Sequence, residues 1–212
     1  MKLRNRESLP VLGLFLGGIA LLAALVLAVV SQLTAEPIRK SQESKKVNEF
    51  KRLRLPEFDR IGDVVDIDGK SFYPVEKDGK TVGFVGSAVT RKGYAGEIEA
   101  LVGFDLAGRI TGVQILRQKE TPGLGAEVCS RKFQRTIFNL SEEAPEVPAQ
   151  QYLDQYNGKN AQEAGAWKTS ADGGEFIYKT GATVTSRAVT SVVDEIASAF
   201  AKSGLTEMEK KQ

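Results

Sequence analysis

The 212-residue chain has four hydroxyl-bearing residues close together near its C-terminal end: Thr180, Thr183, Thr185 and Ser186. Gly181 and Ala182 separate the first two, and such small residues let a ligand approach the backbone closely. The segment precedes a helical pattern that runs to Phe200, so it falls where a helix begins. A helix N-terminus attracts phosphate, because it has free N–H groups and about half a positive charge. A threonine at this place could be a phosphate ligand or a covalent attachment point.

A second candidate segment, residues 120–125, joins a predicted strand to a predicted helix. Glu120 and Thr121 can hydrogen-bond the polar edge of a ring, and the backbone at Gly123 and Leu124 can lie against a planar ligand. Taken alone, the same residues are equally typical of a Pro-Gly turn that caps a helix. The segment by itself leaves both interpretations open.

The composition limits the chemistry that this chain can perform. It has no histidine, which excludes imidazole-ligated haem or zinc and histidine-activated nucleophiles. Its single cysteine, Cys129, cannot form an internal disulfide or an iron–sulfur cluster, and its place on the apolar face of a predicted helix indicates a buried residue. Redox chemistry would therefore come from an organic cofactor, and we expect no metal site. The net charge of +2, with acids and bases interleaved, predicts no nucleic-acid partner.

Residues 11–30 form an uncharged run rich in Leu, Ala and Val. A helix of this length matches a hydrocarbon core of about 30 Å. The basic residues before it are Lys2, Arg4 and Arg6. They favour a cytoplasmic N-terminus, residues 1–10, by the positive-inside tendency. A cleaved signal peptide is the alternative, but its apolar region is usually about 7–15 residues long. We therefore expect a single-pass transmembrane helix at 11–33 in the cell (inner) membrane, with the main domain extracytoplasmic, in the periplasm.

The rest of the chain predicts an α+β fold, a twisted, mostly antiparallel sheet flanked by helices. A helical linker is expected over residues 34–60, then the main domain over 61–204 and a charged tail over 205–212. Short apolar runs between Asp-Gly and Gly turns predict strands at 72–75, 82–85, 98–104, 110–116, 167–170 and 174–179. Helical spacing predicts helices at 36–55, 124–138, near 149–155, and in the segment that ends at Phe200.

With both candidate segments in this order, the chain resembles the FMN-binding domain family, and within it the G-type subunits of Rnf ion-translocating electron-transport complexes. The resemblance covers the N-terminal anchor, the Glu-Thr-Pro-Gly-Leu-Gly turn and the Thr-Gly-Ala-Thr motif. It implies covalent FMN, joined through its phosphate to Thr183 by a separate flavin transferase. It also implies a membrane-anchored relay that passes electrons among the other membrane subunits of an NADH:ferredoxin oxidoreductase complex. Thr185 and Ser186 would either donate to the phosphate or cap the helix.

Two departures from the family pattern keep other functions open. Ile177 stands three residues before Thr180, where the motif usually has an acid, and Glu175 lies two residues earlier. Gln118 stands where some relatives have histidine, which argues against imidazole-dependent proton transfer at a flavin. One alternative is the C-type subunit of a Na⁺-translocating NADH:quinone reductase, which is usually longer. The others are a non-redox membrane sensor or scaffold, and a stand-alone flavoenzyme with Glu120 as its only candidate acid.

Overall fold

The computed structural model describes residues 8–132, 145 and 147–205, and within the first helix it describes side chains at 13–28, 31 and 47–51. The chain divides into two compact units, Met1–Lys46 and Val47–Gln212. The first helix, α1 (Ser8–Lys51), is present where the sequence predicts an N-terminal helix. Its large apolar side chains between Leu14 and Leu27 are exposed. Among the described residues, no helix is both long enough and apolar enough to cross a membrane.

In the described part of the second unit, the chain forms a six-stranded sheet and three further α-helices. The strands are β1 (Arg60–Ile61), β2 (Val65–Ile67), β3 (Lys70–Lys77), β4 (Lys80–Thr90), β5 (Ile98–Phe104) and β6 (Ile110–Arg117). The helices are α2 (Gly125–Cys129), α3 (Gln151–Asp154) and α4 (Thr183–Ser203), and short 3₁₀ turns lie at Ala161–Glu163 and Ser170–Asp172. The four predicted strands between residues 72 and 116 and the predicted α3 and α4 are confirmed.

Neighbouring strands of the sheet are antiparallel throughout, in the order β1-β3-β4-β5-β6, with β2 also paired to β3. The β5–β6 hairpin turns at residues 105–108, where the Asp105 carboxylate accepts hydrogen bonds from the N–H groups of Ala107 and Arg109. The antiparallel α+β fold predicted from the sequence is therefore confirmed.

Apolar layers cover both faces of the sheet. Successive residues of a strand point to opposite faces, so Phe84 packs in one layer and Val85 in the other. The first layer lies against α4, whose buried residues recur at helical spacing and include Val189, Val192, Val193, Ile196, Ala197 and Phe200. The second layer contains Phe50 of α1 and Leu53. Because β6 and α4 share the first layer, the core fixes the end of β6 relative to the start of α4.

The strands predicted at 167–170 and 174–179 are wrong. The chain forms a 3₁₀ turn at Ser170–Asp172, and only an isolated bridge joins Thr169 to Phe176. The Asp172 carboxylate explains the difference, because it accepts the Thr169 hydroxyl at 2.7 Å and draws the chain into a local turn. Gly173 continues that turn in the left-handed region, with φ of 78°.

The helix predicted at 124–138 is much shorter than expected. It ends at Cys129, and Ser130 is extended with φ −112° and ψ 133°. The Gln150 side chain donates hydrogen bonds to the carbonyls of Glu127 and Ser130, which satisfies acceptors at the end of the helix and just beyond it. The predicted helix residues beyond 132, and most of the tail at 205–212, lie outside the described residues. Cys129 is buried, as the sequence predicts.

Candidate functional site

The two candidate segments lie side by side in a single cleft of about 460 Å³. One wall comes from the turn between β6 and α2, and the other from the start of α4. The cleft is lined by Tyr94, Glu120, Thr121, Leu124, Gly125, Gly181, Ala182, Thr183, Val184 and Thr185. Of the residues predicted for the site, Gly123, Thr180 and Ser186 are not part of this lining.

The first turn of α4 offers free N–H groups to a ligand in the cleft. The residue before the helix is Ala182, so no side chain caps it, and its first turn has no acid. The first N–H groups of an α-helix have no partners within the helix. Gly181 leads the chain into this turn with φ of 83°, in the left-handed region where a side chain is strained. The uncapped end of a 21-residue helix is therefore available to an anion.

The four hydroxyl groups of residues 180–186 have different surroundings. Thr185 is 1% exposed and donates to Glu120 Oε2 at 2.6 Å. Ser186 is also buried; it donates to the Ala182 carbonyl at 3.0 Å and accepts from the Lys179 N–H at 3.2 Å. Thr180 is exposed and lies outside the cleft lining. Thr183 is half-buried and lines the cleft, and its hydroxyl has no hydrogen-bond partner among the residues that the structure describes.

Glu120 connects the two walls of the cleft. Its carboxylate is buried and accepts from the Thr185 hydroxyl through Oε2 and from the Ala95 N–H, at 3.0 Å, through Oε1. Gln118 accepts from the backbone N–H of Glu120 and so fixes the start of the turn. Gly125 permits the close approach, since a Cβ at that position would lie 2.5 Å from Thr185 Oγ1 and 2.6 Å from Glu120 Oε2.

A second contact, at the surface, joins α2 to the segment just before α4. Lys179 Nζ lies 2.6 Å from the Glu127 carboxylate of α2, and the hydrogen bond to Glu127 raises the pKa of the lysine. Behind the cleft, burial and the nearby Glu120 raise the pKa of the Cys129 thiol to about 12. The thiol therefore stays protonated and unreactive in the folded protein. Within the described ranges, no cluster of three or more potential metal ligands is present.

The connection between β4 and β5 supplies a wall that the sequence reasoning missed. Tyr94 lies on this connection, lines the cleft and is 74% exposed. The signal available in the sequence was a tyrosine in a short segment between Gly93 and Gly96. Because the neighbouring Ala95 contacts Glu120 across 25 positions of sequence, no local pattern linked this loop to the site.

The fold and the site define a small α+β domain that presents a free threonine at an uncapped helix N-terminus, an arrangement suited to a phosphate-bearing ligand. The FMN-binding domain family matches residues 93–198, half of the chain, and the chain belongs to this family.

Curated proteins match over most of the chain. It is 29% identical over 200 residues to the G-type subunit of the Na⁺-translocating ferredoxin:NAD⁺ oxidoreductase complex of Acetobacterium woodii, covering 86% of this chain and 87% of that protein. It is 28% identical over 205 residues to the G-type subunit of the ion-translocating oxidoreductase complex of Shewanella loihica, covering 91% of this chain and 88% of that protein. The corresponding protein of Shewanella piezotolerans is 29% identical over 198 residues, covering 85% of this chain and 84% of that protein.

Proposed function

We propose that this protein carries FMN, linked covalently through its phosphate to Thr183, and relays electrons as a subunit of an ion-translocating oxidoreductase complex. The observation that carries the proposal is the convergence of residues 120–125 and 181–185 on one cleft, at the uncapped start of α4. FMN would supply the redox chemistry, because its ring accepts and releases electrons that protein side chains do not.

The surroundings of the hydroxyl groups support Thr183 as the attachment point. A phosphoester requires an oxygen that is accessible and not already engaged. Thr185 and Ser186 are buried and donate their hydrogens to protein acceptors. Thr183 lies in the cleft at the first position of α4, where the helix N-terminus stabilises a phosphate charge. This favours helix positioning, and not phosphate contact, as the role of Thr185 and Ser186.

The other side of the cleft supports binding of a flat, partly apolar ring. Leu124 and Val184 are 42% and 44% exposed there, and both line the cleft. Covering such side chains with a ring contributes about 25 cal/mol per Å² of apolar surface removed from water. Thr121, which also lines the cleft, offers a polar contact for a ring edge. The chain holds and orients the group, and the residues of the cleft supply no general acid in this proposal.

The partners in this proposal follow from the names of the relatives, which are subunits of oxidoreductase complexes. We propose that this chain assembles with the other membrane subunits of an Rnf-type complex, and that a flavin transferase attaches its FMN. We also propose that residues 11–33 anchor it in the membrane and that residues 61–204 form the extracytoplasmic FMN-binding domain. The uncharged run at 11–30 and the exposed apolar side chains between Leu14 and Leu27 support the anchor. A topology reporter fused to the C-terminus should read as extracytoplasmic, and a cytoplasmic reading would refute this arrangement.

Covalent flavin is tested by expressing the full chain with a flavin transferase and recording flavin fluorescence on a denaturing gel. We expect a fluorescent band in the wild type and in Thr180→Ala, and none in Thr183→Ala. Thr180→Ala is a matched control because it removes a neighbouring hydroxyl outside the cleft. A band that persists in Thr183→Ala would disprove the attachment point. No flavin in the wild type would instead favour the non-redox sensor or scaffold, for which Ile177 at the usual position of an acid is the supporting observation.

A further inference from the structure

Tyr94 presents a bare aromatic surface to the cleft. Its side chain is 74% exposed, and it has no hydrogen bond or ring contact with any other residue that the structure describes. An exposed aromatic ring gains by stacking on another planar ring, both from apolar burial and from the ring–ring contact itself. Tyr94 is therefore suited to cover one side of a ring bound in the cleft.

Several contacts of the loop that carries Tyr94 lie at the surface. Arg91 pairs with Glu97 at 3.0 Å within the loop, and Lys92 Nζ donates to Ser191 Oγ of α4 at 3.0 Å. Lys92 reaches α4 at its Glu195 carboxylate, 2.9 Å away, but these side chains are 63% and 43% exposed, so the pair contributes little. The Ala95 N–H is different, because it donates to the buried carboxylate of Glu120 at 3.0 Å. A hydrogen bond to a buried carboxylate is stronger than these exposed contacts, so it ties the loop to the turn at Glu120.

The same carboxylate also holds the start of α4. Its second oxygen accepts the hydroxyl of Thr185 at 2.6 Å, two residues after Thr183. One buried side chain thus joins the loop that carries Tyr94 to the helix end that carries Thr183. Both of its oxygens already accept hydrogen bonds from the protein.

We propose that Glu120 is a positioning residue that acts through Tyr94, holding the tyrosine ring against the ring of the bound flavin. This assignment rests on the proposed function. It differs from the expectation that the Glu120 side chain contacts the ring edge, because here Glu120 touches Ala95 and Thr185, and Tyr94 touches the flavin. The ring of the flavin would be exposed to solvent whenever either Glu120 or Tyr94 is removed.

The test measures how well iodide quenches the fluorescence of the covalently bound flavin in the full-length protein. We expect Tyr94→Ala to increase quenching about two- to tenfold, the range that corresponds to loss of one aromatic stacking contact. Glu120→Ala should increase it by a similar factor, and the double variant should equal Tyr94→Ala alone, since Glu120 acts through the tyrosine. Tyr94→Phe should match the wild type because it keeps the ring. Glu120→Gln should retain most of the shielding, since its amide can accept from Ala95 and donate to Thr185.

The outcomes separate the two proposals. A wild type without covalent flavin refutes the proposed function and this assignment together. A flavin-bearing wild type whose iodide quenching is unchanged in Tyr94→Ala refutes the assignment alone. The double variant gives a further test. If its increase in iodide quenching is the product of the increases in Tyr94→Ala and Glu120→Ala, the two residues act independently, and the assignment is refuted. If Glu120→Ala does not fold, Glu120→Asp gives the same test, because its shorter side chain keeps the charge but cannot reach both partners.

Discussion

Gly125 offers a direct test of the contact between the two walls of the cleft. It is the first residue of α2, and an added methyl group would lie 2.5 Å from Thr185 Oγ1 and 2.6 Å from Glu120 Oε2. Those two atoms are buried and form a 2.6 Å hydrogen bond with each other. Neither can move aside without lengthening that bond, so Gly125→Ala should break it.

The cost follows from the groups that are displaced. A hydrogen bond to a charged acceptor contributes about 1.5–3 kcal/mol, and overpacking adds about 1–3 kcal/mol. The better helix propensity of alanine offsets at most about 1 kcal/mol. We therefore expect Gly125→Ala to lower the free energy of unfolding by about 1.5–5 kcal/mol. The proposed flavin attachment at Thr183 should persist in this variant, because the altered contact does not involve the Thr183 hydroxyl.

Urea unfolding followed by the fluorescence of Trp167, the single tryptophan, measures this change. Gly123→Ala is the matched control: Gly123 lies in the same turn with a positive φ of 78°, and no atom lies within 4 Å of the added methyl group. It should cost only about 1–2 kcal/mol of backbone strain. In a Thr185→Ala background the cost of Gly125→Ala should shrink, since one clashing atom is gone. A Gly125→Ala protein as stable as the wild type would refute the packing described for the site.

Three further perturbations test other parts of the structure. Phe200→Ala should lower the free energy of unfolding by about 3–5 kcal/mol, because the ring is 3% exposed and stacks on Phe104 with centroids 4.2 Å apart. Chemical denaturation measures this loss, and a much smaller value would contradict the packing described for Phe200. Cys129 should resist alkylation in the folded protein, because burial raises the pKa of its thiol to about 12, and it should react only as urea unfolds the chain. Rapid alkylation of the folded protein would show that the thiol is accessible. The Arg187 guanidinium lowers the pKa of Asp172 from its ordinary 3.8 to about 2. The contact between the two side chains therefore stabilises the folded protein fully above pH 3.8, and this contribution is lost as the pH falls towards 2. The stability difference between the wild type and Asp172→Asn should narrow across that pH range, and a constant difference would show that the carboxylate is not paired in solution.

The sequence predicted the elements whose signals are local. The strands between residues 72 and 116 alternate with Asp-Gly and Gly turns, and α4 carries apolar residues at helical spacing, so each pattern is complete within a short window. The region from 167 to 179 was misread because its residues have strand-like composition, whereas its shape depends on the Asp172 side chain. That carboxylate accepts from Thr169 and pairs with Arg187, and the second of these contacts spans 15 positions.

The candidate site also has parts with a local sequence signal and parts that depend on contacts distant in sequence. The segment at 180–186 was a candidate from its residue types, whereas the segment at 120–125 was equally typical of a helix-capping turn until the family resemblance linked it to 180–186. The roles of individual side chains were not, because Glu120 contacts Ala95 and Thr185 at separations of 25 and 65 positions. Tyr94 was missed for the same reason, since a lone exposed tyrosine in a loop has no periodic signal. Contacts of this kind exist only after the sheet and α4 have packed together.

The relative position of the two walls of the cleft is fixed by packing in the core, not by contacts within the cleft. Glu120 follows β6 closely in the chain, and Thr185 lies in the first turn of α4. Val113 of β6 and Val192 of α4 are buried in the same apolar layer, which fixes the strand and the helix as one packed body. The 2.6 Å bond between Glu120 and Thr185 can form only if that packing is correct. A change in this layer would therefore disturb the walls of the cleft before it disturbed the Thr183 hydroxyl. Under the proposed function, the flavin ring should then lose its shielding from solvent more readily than the flavin loses its covalent attachment.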